Sequence, residues 1–562
     1  MLKHIKIGIH EGCALCLIIF AAALRIILIG QGWPQTDSDE GTLGLMALHI
    51  AYRGEHPVFF YGQGYMGPLE AYFGALLFHL FGPSLFTLRL GLVIIFALFL
   101  VSTYLLTSLL YTRNLALVTL SLLSLGSAAV FFTQLRAIGG YAETLLFGSL
   151  LLLLASWLAL SYNPHLSLRR RLLRYFVYAC WGYIVGLAIW TDVLIMPFVL
   201  MSALLLLLCC WPELDSWALA CVIASFTLGV LPSLIYNITT PPQQGSLFYF
   251  LLDYRSDTTG QTFKHIPLIR KMLGALLVGL PAATGANPIC PAQNLSFPDL
   301  FTSADLQCTL RQGSWAIGCI ILWLTAAFLN IKAFWQQRLW ARANAAHTEE
   351  RQTSARSMAR LMLLGVGGLT LLLFAFSPVA ALNPWANFRY LICLLIATPA
   401  IIAPLWQNEG IASGLWSSTW RTKLLLAFKR ALLLYIGFML LLGAAGTFNS
   451  VPAVQAIDQQ QESLVARLLS MGAAHIISEY WTCDRVIFQS DEHIICSVVN
   501  ERLRPGYNRY PPYYFMVKGD PHATYVFPLD SPEAASMAHR AAYFSKRYRR
   551  FIFDGYVIYQ PI

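Results

Sequence analysis

Apolar residues come in long, nearly uninterrupted runs, not in the alternation of a half-buried strand or the single stripe of a soluble helix. Eleven runs are read as membrane spans: Ile9–Gly30, Leu88–Leu110, Leu115–Phe132, Thr144–Leu160, Tyr175–Val193, Ile195–Trp211, Trp217–Ile235, Trp315–Phe334, Leu361–Phe376, Tyr390–Leu405 and Ala431–Phe448. At a rise of 1.5 Å per residue, about 20 residues cross a hydrocarbon core of about 30 Å. The stretch 175–211 is too long for one crossing and is divided near Asp192, a polar residue expected at an interface. Two further apolar stretches, Pro68–Phe81 and Leu268–Ala283, are read as helices on or partly in the outer leaflet, and thirteen spans result if both cross.

Basic residues collect in a subset of the loops: Lys3 and Lys6; Arg113; Arg169, Arg170, Arg171 and Arg174; Lys332 to Arg360; and Arg421 to Arg430. Short cytoplasmic loops carry an excess of Lys and Arg, so the amino terminus is expected in the cytoplasm. Residues 31–87 and 237–314 then form two long outer loops, and everything from Asn449 onward faces outward. That tail predicts strands at His475–Ser478, Val486–Gln489, Ile494–Val499, Thr524–Phe527 and Phe551–Tyr559, with helices at Leu464–Met471 and Ser531–Phe544. The expected fold is a polytopic α-helical membrane protein of 11–13 spans with juxtamembrane helices and a small outward α/β domain. The expected division is 1–448 for the membrane domain and 449–562 for the soluble one.

Composition agrees: the 562 residues are 57% hydrophobic and only 12% charged, against about a quarter charged in soluble chains. A cytosolic enzyme and a single-pass receptor are excluded. The net charge of +10 lies mostly in loops between spans and speaks for orientation, so no nucleic-acid partner is expected. Of twelve cysteines, eight fall in apolar spans, leaving Cys290 with Cys308 and Cys483 with Cys496 as two outward pairs able to form disulfides. No phosphate-binding glycine loop, dinucleotide fingerprint or zinc spacing supports ATP-driven or nucleotide-sugar chemistry.

The chemistry-bearing segment follows the first span. It reads Thr36-Asp37-Ser38-Asp39-Glu40-Gly41, then a helical stretch to Arg53, then Tyr61-Gly62-Gln63-Gly64-Tyr65-Met66-Gly67-Pro68-Leu69-Glu70. With Ser38 or Asp39 as helix cap, the carboxylates sit at the positive helix end, which favours ionisation. An interfacial carboxylate can take a proton from an acceptor hydroxyl, and such a cluster also has the chemistry to hold a divalent metal. On composition alone, a capping group on a solvated loop is the commoner reading of the same residues. Lone His49 and His56 are expected to be structural, and Arg25, about 8 Å below the outer end of span one, to snorkel.

The Asp39–Glu40 pair after span one, the amphipathic helix, the Gly/Pro-Leu helix ending at Leu80-Phe81-Gly82 and the entry Phe86-Thr87-Leu88-Arg89-Leu90 together resemble the GT-C superfamily of membrane glycosyltransferases. The resemblance is to the bacterial branch related to protein O-mannosyltransferases and lipid A aminoarabinose transferases. It departs at Gly67-Pro68-Leu69, where many relatives have Pro-Pro-Leu, so neither sugar nor acceptor is carried over. The resemblance implies transfer of a sugar from a polyprenyl-phosphate carrier to a lipid, glycan or protein acceptor outside a bacterial inner membrane. It implies Asp39 as catalytic base with Glu40 as its acidic neighbour, and Glu143 as a second carboxylate that orients the acceptor or joins Asp39 at a metal. Arg136 and Arg389 are expected on the donor phosphate, and Gln63 and Tyr65 in the sugar pocket. No cofactor is otherwise expected. A lipid-linked-sugar flippase or transporter, or an oligosaccharide ligase, are the alternative readings.

Overall fold

The structure, a computed structural model, describes residues 8–163, 166–214, 217–241, 266–286, 303–343, 348–406, 420–540 and 547–562. Among these, ten helices are long and apolar enough to cross a membrane, or eleven if one bent pair is a single span. The chain is a multi-pass membrane protein. Helix α1 (Ile9–Gly30) leads to α2 (Ser38–Leu48), which continues as a π turn over His49–Arg53, and then to α3 (Leu69–Phe81) and α4 (Leu85–Leu110). Helices α5 (Arg113–Ser124) and α6 (Ala128–Leu135) form the bent pair, at 88° to each other, and α7 (Tyr141–Leu160), α8 (Leu168–Thr191), α9 (Met196–Leu214) and α10 (Trp217–Thr239) follow.

The expected straight span Leu115–Phe132 is thus broken, and Arg25 is the reason the break is tolerated. Ending α5 in an apolar setting leaves its last carbonyls without helical donors. Arg25, fully buried, donates to the carbonyls of Ser124 (3.1 Å), Leu123 (3.4 Å) and Ala21 (2.9 Å) and to Gln134 Oε1 on α6 (2.6 Å). Its guanidinium lies 3.8 Å from the centre of the Phe96 ring. This residue does not snorkel: it fastens the bend. The stretch Leu268–Ala283 forms two short helices joined by a π turn, with Ala275, Leu280, Ala282 and Ala283 buried in a core shared with Phe374 and Leu391 and Leu268 and Ile269 exposed.

A helix over Val451–Ser470 follows the last span and leads into a five-stranded sheet of order β2-β1-β3-β5-β4. Its strands are β1 (His475–Ser478), β2 (Ile495–Val498), β3 (Thr524–Pro528), β4 (Tyr548–Phe553) and β5 (Tyr556–Pro561). β1 lies parallel to β2 and β3, while β5 runs antiparallel to β3 and β4. Two expected strands differ. Val486–Gln489 is the end of a helix, Tyr480–Gln489, whose start is capped by Glu479 and whose Cys483, Val486 and Ile487 face the domain core. Phe551–Tyr559 is two strands of a hairpin, because Asp554 (φ 49°) and Gly555 (φ 81°) turn the chain. Cys483 and Cys496 form a disulfide, their Cα atoms 5.3 Å apart, whereas Cys290 lies outside the described residues.

The helix Tyr480–Gln489, called here the docking helix, packs on α2. Two glycines permit the approach: a Cβ on Gly41 would sit 2.7 Å from the backbone of Asp484 and Arg485, and one on Gly44 2.6 Å from the Phe488 ring. Side chains cross over accordingly, with Leu45 buried in the sheet-domain core and Phe488 among the α2–α3 residues.

Candidate functional site

The acidic segment is divided by its partners. Asp37, not Ser38 or Asp39, caps α2, accepting from the Glu40 amide at 3.0 Å. Glu40 turns inward. It takes a two-pronged ion pair from Arg89 of α4 (2.9 and 2.6 Å) and the Ala137 amide (3.1 Å), with both side chains buried. It is therefore a tie between α2, α4 and the loop before α7, with no free oxygen edge for a substrate.

Asp39 faces a cavity of about 410 Å³. Its Oδ1 accepts from the Tyr480 hydroxyl (2.6 Å) and from Arg509 Nη2 (2.7 Å), both from the sheet domain. Gln63, Tyr65, Tyr141, Asp192, Arg389, Tyr390 and Arg509 share the wall, with Phe60, Met66 and Phe374 as its apolar part. Four residues expected at the site are brought together here: Asp39, Gln63, Tyr65 and Arg389. Arg389 has no ion-pair partner among the described residues, its Nε carries no hydrogen bond, and its guanidinium lies 5.5 Å from the Tyr141 ring centre. A cation left open beside a carboxylate in a partly apolar cavity is equipped to receive an anion.

Two expected members are placed elsewhere. Arg136 contacts Asp37 and stacks on Phe132 at 4.6 Å, outside the cavity wall, so its charge serves the α2 cap. Glu143, in the first turn of α7, is buried and off the wall, facing Glu70 of α3. Burial, and then the facing Glu143 carboxyl, hold Glu70 well above the usual carboxylate range. Two such groups cannot both ionise cheaply, and Glu70 Oε2 also accepts from the Gly139 amide at 3.0 Å. Glu70 thereby braces the Gly139–Gly140 turn, whose positive φ angles of 89° and 77° suit glycine.

The cavity's second carboxylate is Asp192 instead. Its Oδ1 caps Leu194 (2.9 Å), and burial pushes its carboxyl up to about 6. At the interface where the sequence placed it, Asp192 could cap a helix or add a carboxylate to the cleft, and the structure gives it both positions. Arg509 and Tyr480 had no local signal, since they lie 470 and 441 residues from Asp39 in the chain. His49 is structural as expected, but not alone: fully buried, it lies 2.8 Å from Glu492 Oε1 and 2.9 Å from the Tyr61 hydroxyl.

Among the described residues no three His, Cys, Asp or Glu side chains gather closely enough to hold a metal ion. A larger cavity of about 550 Å³ is lined mostly by Leu, Ile and other apolar side chains, with no carboxylate, and is not where proton-transfer chemistry is set up.

No family model and no curated protein matches the chain. Solved structures do. The ArnT of Cupriavidus metallidurans bound to undecaprenyl phosphate superposes at a TM-score of 0.53 with 11% identity, covering 98% of this chain and 98% of that one. The apo oligosaccharyltransferase of Archaeoglobus fulgidus superposes at 0.52 with 13% identity, over 95% of this chain and 71% of that one. The same organism's AglB in complex with an inhibitory peptide and a dolichol-phosphate gives 0.50, with 13% identity, over 98% and 74%. The chain shares the fold of these solved structures over nearly its whole length. The resemblance first carried by the loop after span one therefore extends to the whole architecture, including the terminal sheet domain. The cavity lies between the first-loop helices, the membrane bundle and that domain.

Proposed function

We propose that the protein is an integral-membrane glycosyltransferase that moves a hexosyl or pentosyl group from a polyprenyl-phosphate carrier to an acceptor hydroxyl. The site and the sheet domain, residues 449–562, face outward from a bacterial inner membrane, and residues 1–448 form the membrane catalytic domain. The observation that carries this reading is Arg389, engaged in no salt bridge among the described residues, beside Asp39 in one cavity. That one protein of the same fold holds undecaprenyl phosphate and another dolichol-phosphate supports it.

Asp39 acts as general base. As the acceptor O–H proton passes to its carboxylate, the acceptor oxygen attacks the anomeric carbon and the bond from that carbon to the phosphate oxygen breaks. The polyprenyl phosphate leaves with the electron pair, its growing charge met by Arg389. Attack opposite the leaving phosphate inverts the anomeric centre. Gln63, Tyr65 and Asp192 line the sugar's place. Glu40, Glu143 and Arg136 hold the loops that shape the cavity, and no step is routed through a metal ion.

The test is sugar transfer in membranes carrying wild type or Asp39→Asn, supplied with a panel of radiolabelled polyprenyl-phosphate sugars. Label is followed into lipid, glycan and protein fractions. Label with wild type alone, in a product of inverted anomeric configuration, is the expected result. Near-normal transfer by Asp39→Asn removes the base assignment. Transfer by neither protein, with both folded, favours the flippase or transporter reading.

A further inference from the structure

We infer that the C-terminal sheet domain supplies the residues that make Asp39 a working base: Arg509 and Tyr480 together grip its Oδ1 and leave Oδ2 for the acceptor hydroxyl. The inference rests on the glycosyl-transfer reading and deepens it, since it assigns the sheet domain a part in the reaction.

The three groups form a closed triangle. Tyr480 donates its hydroxyl to Asp39 Oδ1 at 2.6 Å and accepts from Arg509 Nε at 2.5 Å, while Arg509 Nη2 reaches the same Oδ1 at 2.7 Å. Asp39 Oδ2 has no hydrogen bond among the described residues, and Asp39 lines the cavity. Arg509 is held on its remaining sides. Nη1 donates to the Tyr61 carbonyl at 3.2 Å, and the Phe60, Tyr480 and Tyr507 ring centres lie 4.5, 5.4 and 5.4 Å from its guanidinium. With a side chain only 7% exposed, it has no freedom to swing away. A base oriented by a third group through one of its two oxygens is the arrangement general-base sites use. Here the orienting group comes from another domain.

The docking surface fixes the triangle's position. Tyr480 opens the docking helix, whose Asp484 amide donates to Ser38 Oγ at 3.1 Å, one residue from Asp39, and whose backbone lies against Gly41. The charged and titratable groups facing Asp39 are Tyr480, Arg509, Asp484 behind it and Arg389 across the cavity. Arg509 is the cation in direct contact. Removing it takes from the base the positive charge that opposes its protonation at contact distance.

The experiment is the pH profile of kcat and the donor KM for wild type, Arg509→Ala, Arg509→Lys and Tyr480→Phe in membranes, with Asp39→Asn alone and combined with Arg509→Ala. Arg509→Ala is expected to lower kcat and to move the acidic limb upward by roughly one pH unit or more. Donor KM is expected to hold. Arg509→Lys, which keeps the charge but not the fork, restores the limb but only part of kcat. Tyr480→Phe lowers kcat with a smaller upward shift. The combined variant is no worse than Asp39→Asn. If Arg509→Ala raises donor KM and leaves the limb in place, Arg509 is a donor ligand and the inference is overturned while the transferase reading stands. Should Asp39→Asn keep wild-type turnover, the base assignment itself fails, and the two failures are thereby told apart. Where Arg509→Ala does not fold, Arg509→Lys and Tyr480→Phe decide between the same outcomes.

Discussion

The Glu40–Arg89 pair offers a test of which first-loop acid serves structure and which serves chemistry. Glu40→Gln keeps the shape of the side chain and removes its charge. Arg89 is then left as a buried cation that keeps the Gly32 carbonyl at 3.0 Å but has lost the carboxylate it hydrogen-bonds. The new amide must also turn its NH₂ toward a donor: with that NH₂ in place of Oε2 it meets Arg89 Nη2, and in place of Oε1 it meets Arg89 Nε and the Ala137 amide. Breaking one side of a buried pair costs about 3–5 kcal/mol, which is roughly two to four decades in the folded-to-unfolded ratio. Replacing both members, as in Glu40→Gln with Arg89→Met, removes the uncompensated charge and should recover much of that loss. The assay is unfolding by SDS titration from mild micelles, run beside sugar transfer. A structural Glu40 predicts that the double variant regains both stability and most of its turnover. Restored stability with turnover still abolished would show Glu40 taking part in the chemistry. A Glu40→Gln cost below about 1 kcal/mol, the range of exposed pairs, would refute the burial argument.

Other perturbations follow from the same geometry. Arg389→Ala removes a charge-assisted contact worth about 1.5–3 kcal/mol, so donor KM should rise roughly 10- to 100-fold by titration with polyprenyl-phosphate sugar. Gly41→Ala places a methyl 2.7 Å from backbone that cannot yield; the sheet domain must shift, and limited proteolysis should release it faster while transfer falls. Asp484 is pushed up to about 6, mainly by burial. Its folded value exceeds the usual carboxylate range, so the docked state binds the extra proton and stability falls as pH rises from about 4 to about 6. Asp484→Asn should remove that slope in the same SDS titration, so that the variant gains on wild type at neutral pH more than at pH 4.

Hydrophobic length is a local property, and the bilayer reads it directly, which is why the span positions, the broken run at Asp192 and the presence of a terminal α/β unit were legible in the sequence. Asp39, Gln63, Tyr65 and Arg389 were legible as well, because the first outer loop and the start of a late span are the places a headgroup-level site draws from. What sequence could not separate was one acid from its neighbour. Adjacent residues on a helix point about 100° apart, so Asp39 faces the cavity while Glu40 faces Arg89, 49 residues away. Glu143 met Glu70, and Arg136 met Asp37, and each was removed from the cavity by a partner whose identity only packing decides. Arg25 read as a snorkelling cation until the bend in the α5–α6 pair gave it carbonyls to satisfy. The sequence by itself determined a membrane bundle with an acidic outer loop and a soluble tail. Only the tertiary structure brought Arg509 and Tyr480 across more than 440 residues to Asp39, because an ionisable group's role is set by what lies within a few ångströms of it in space.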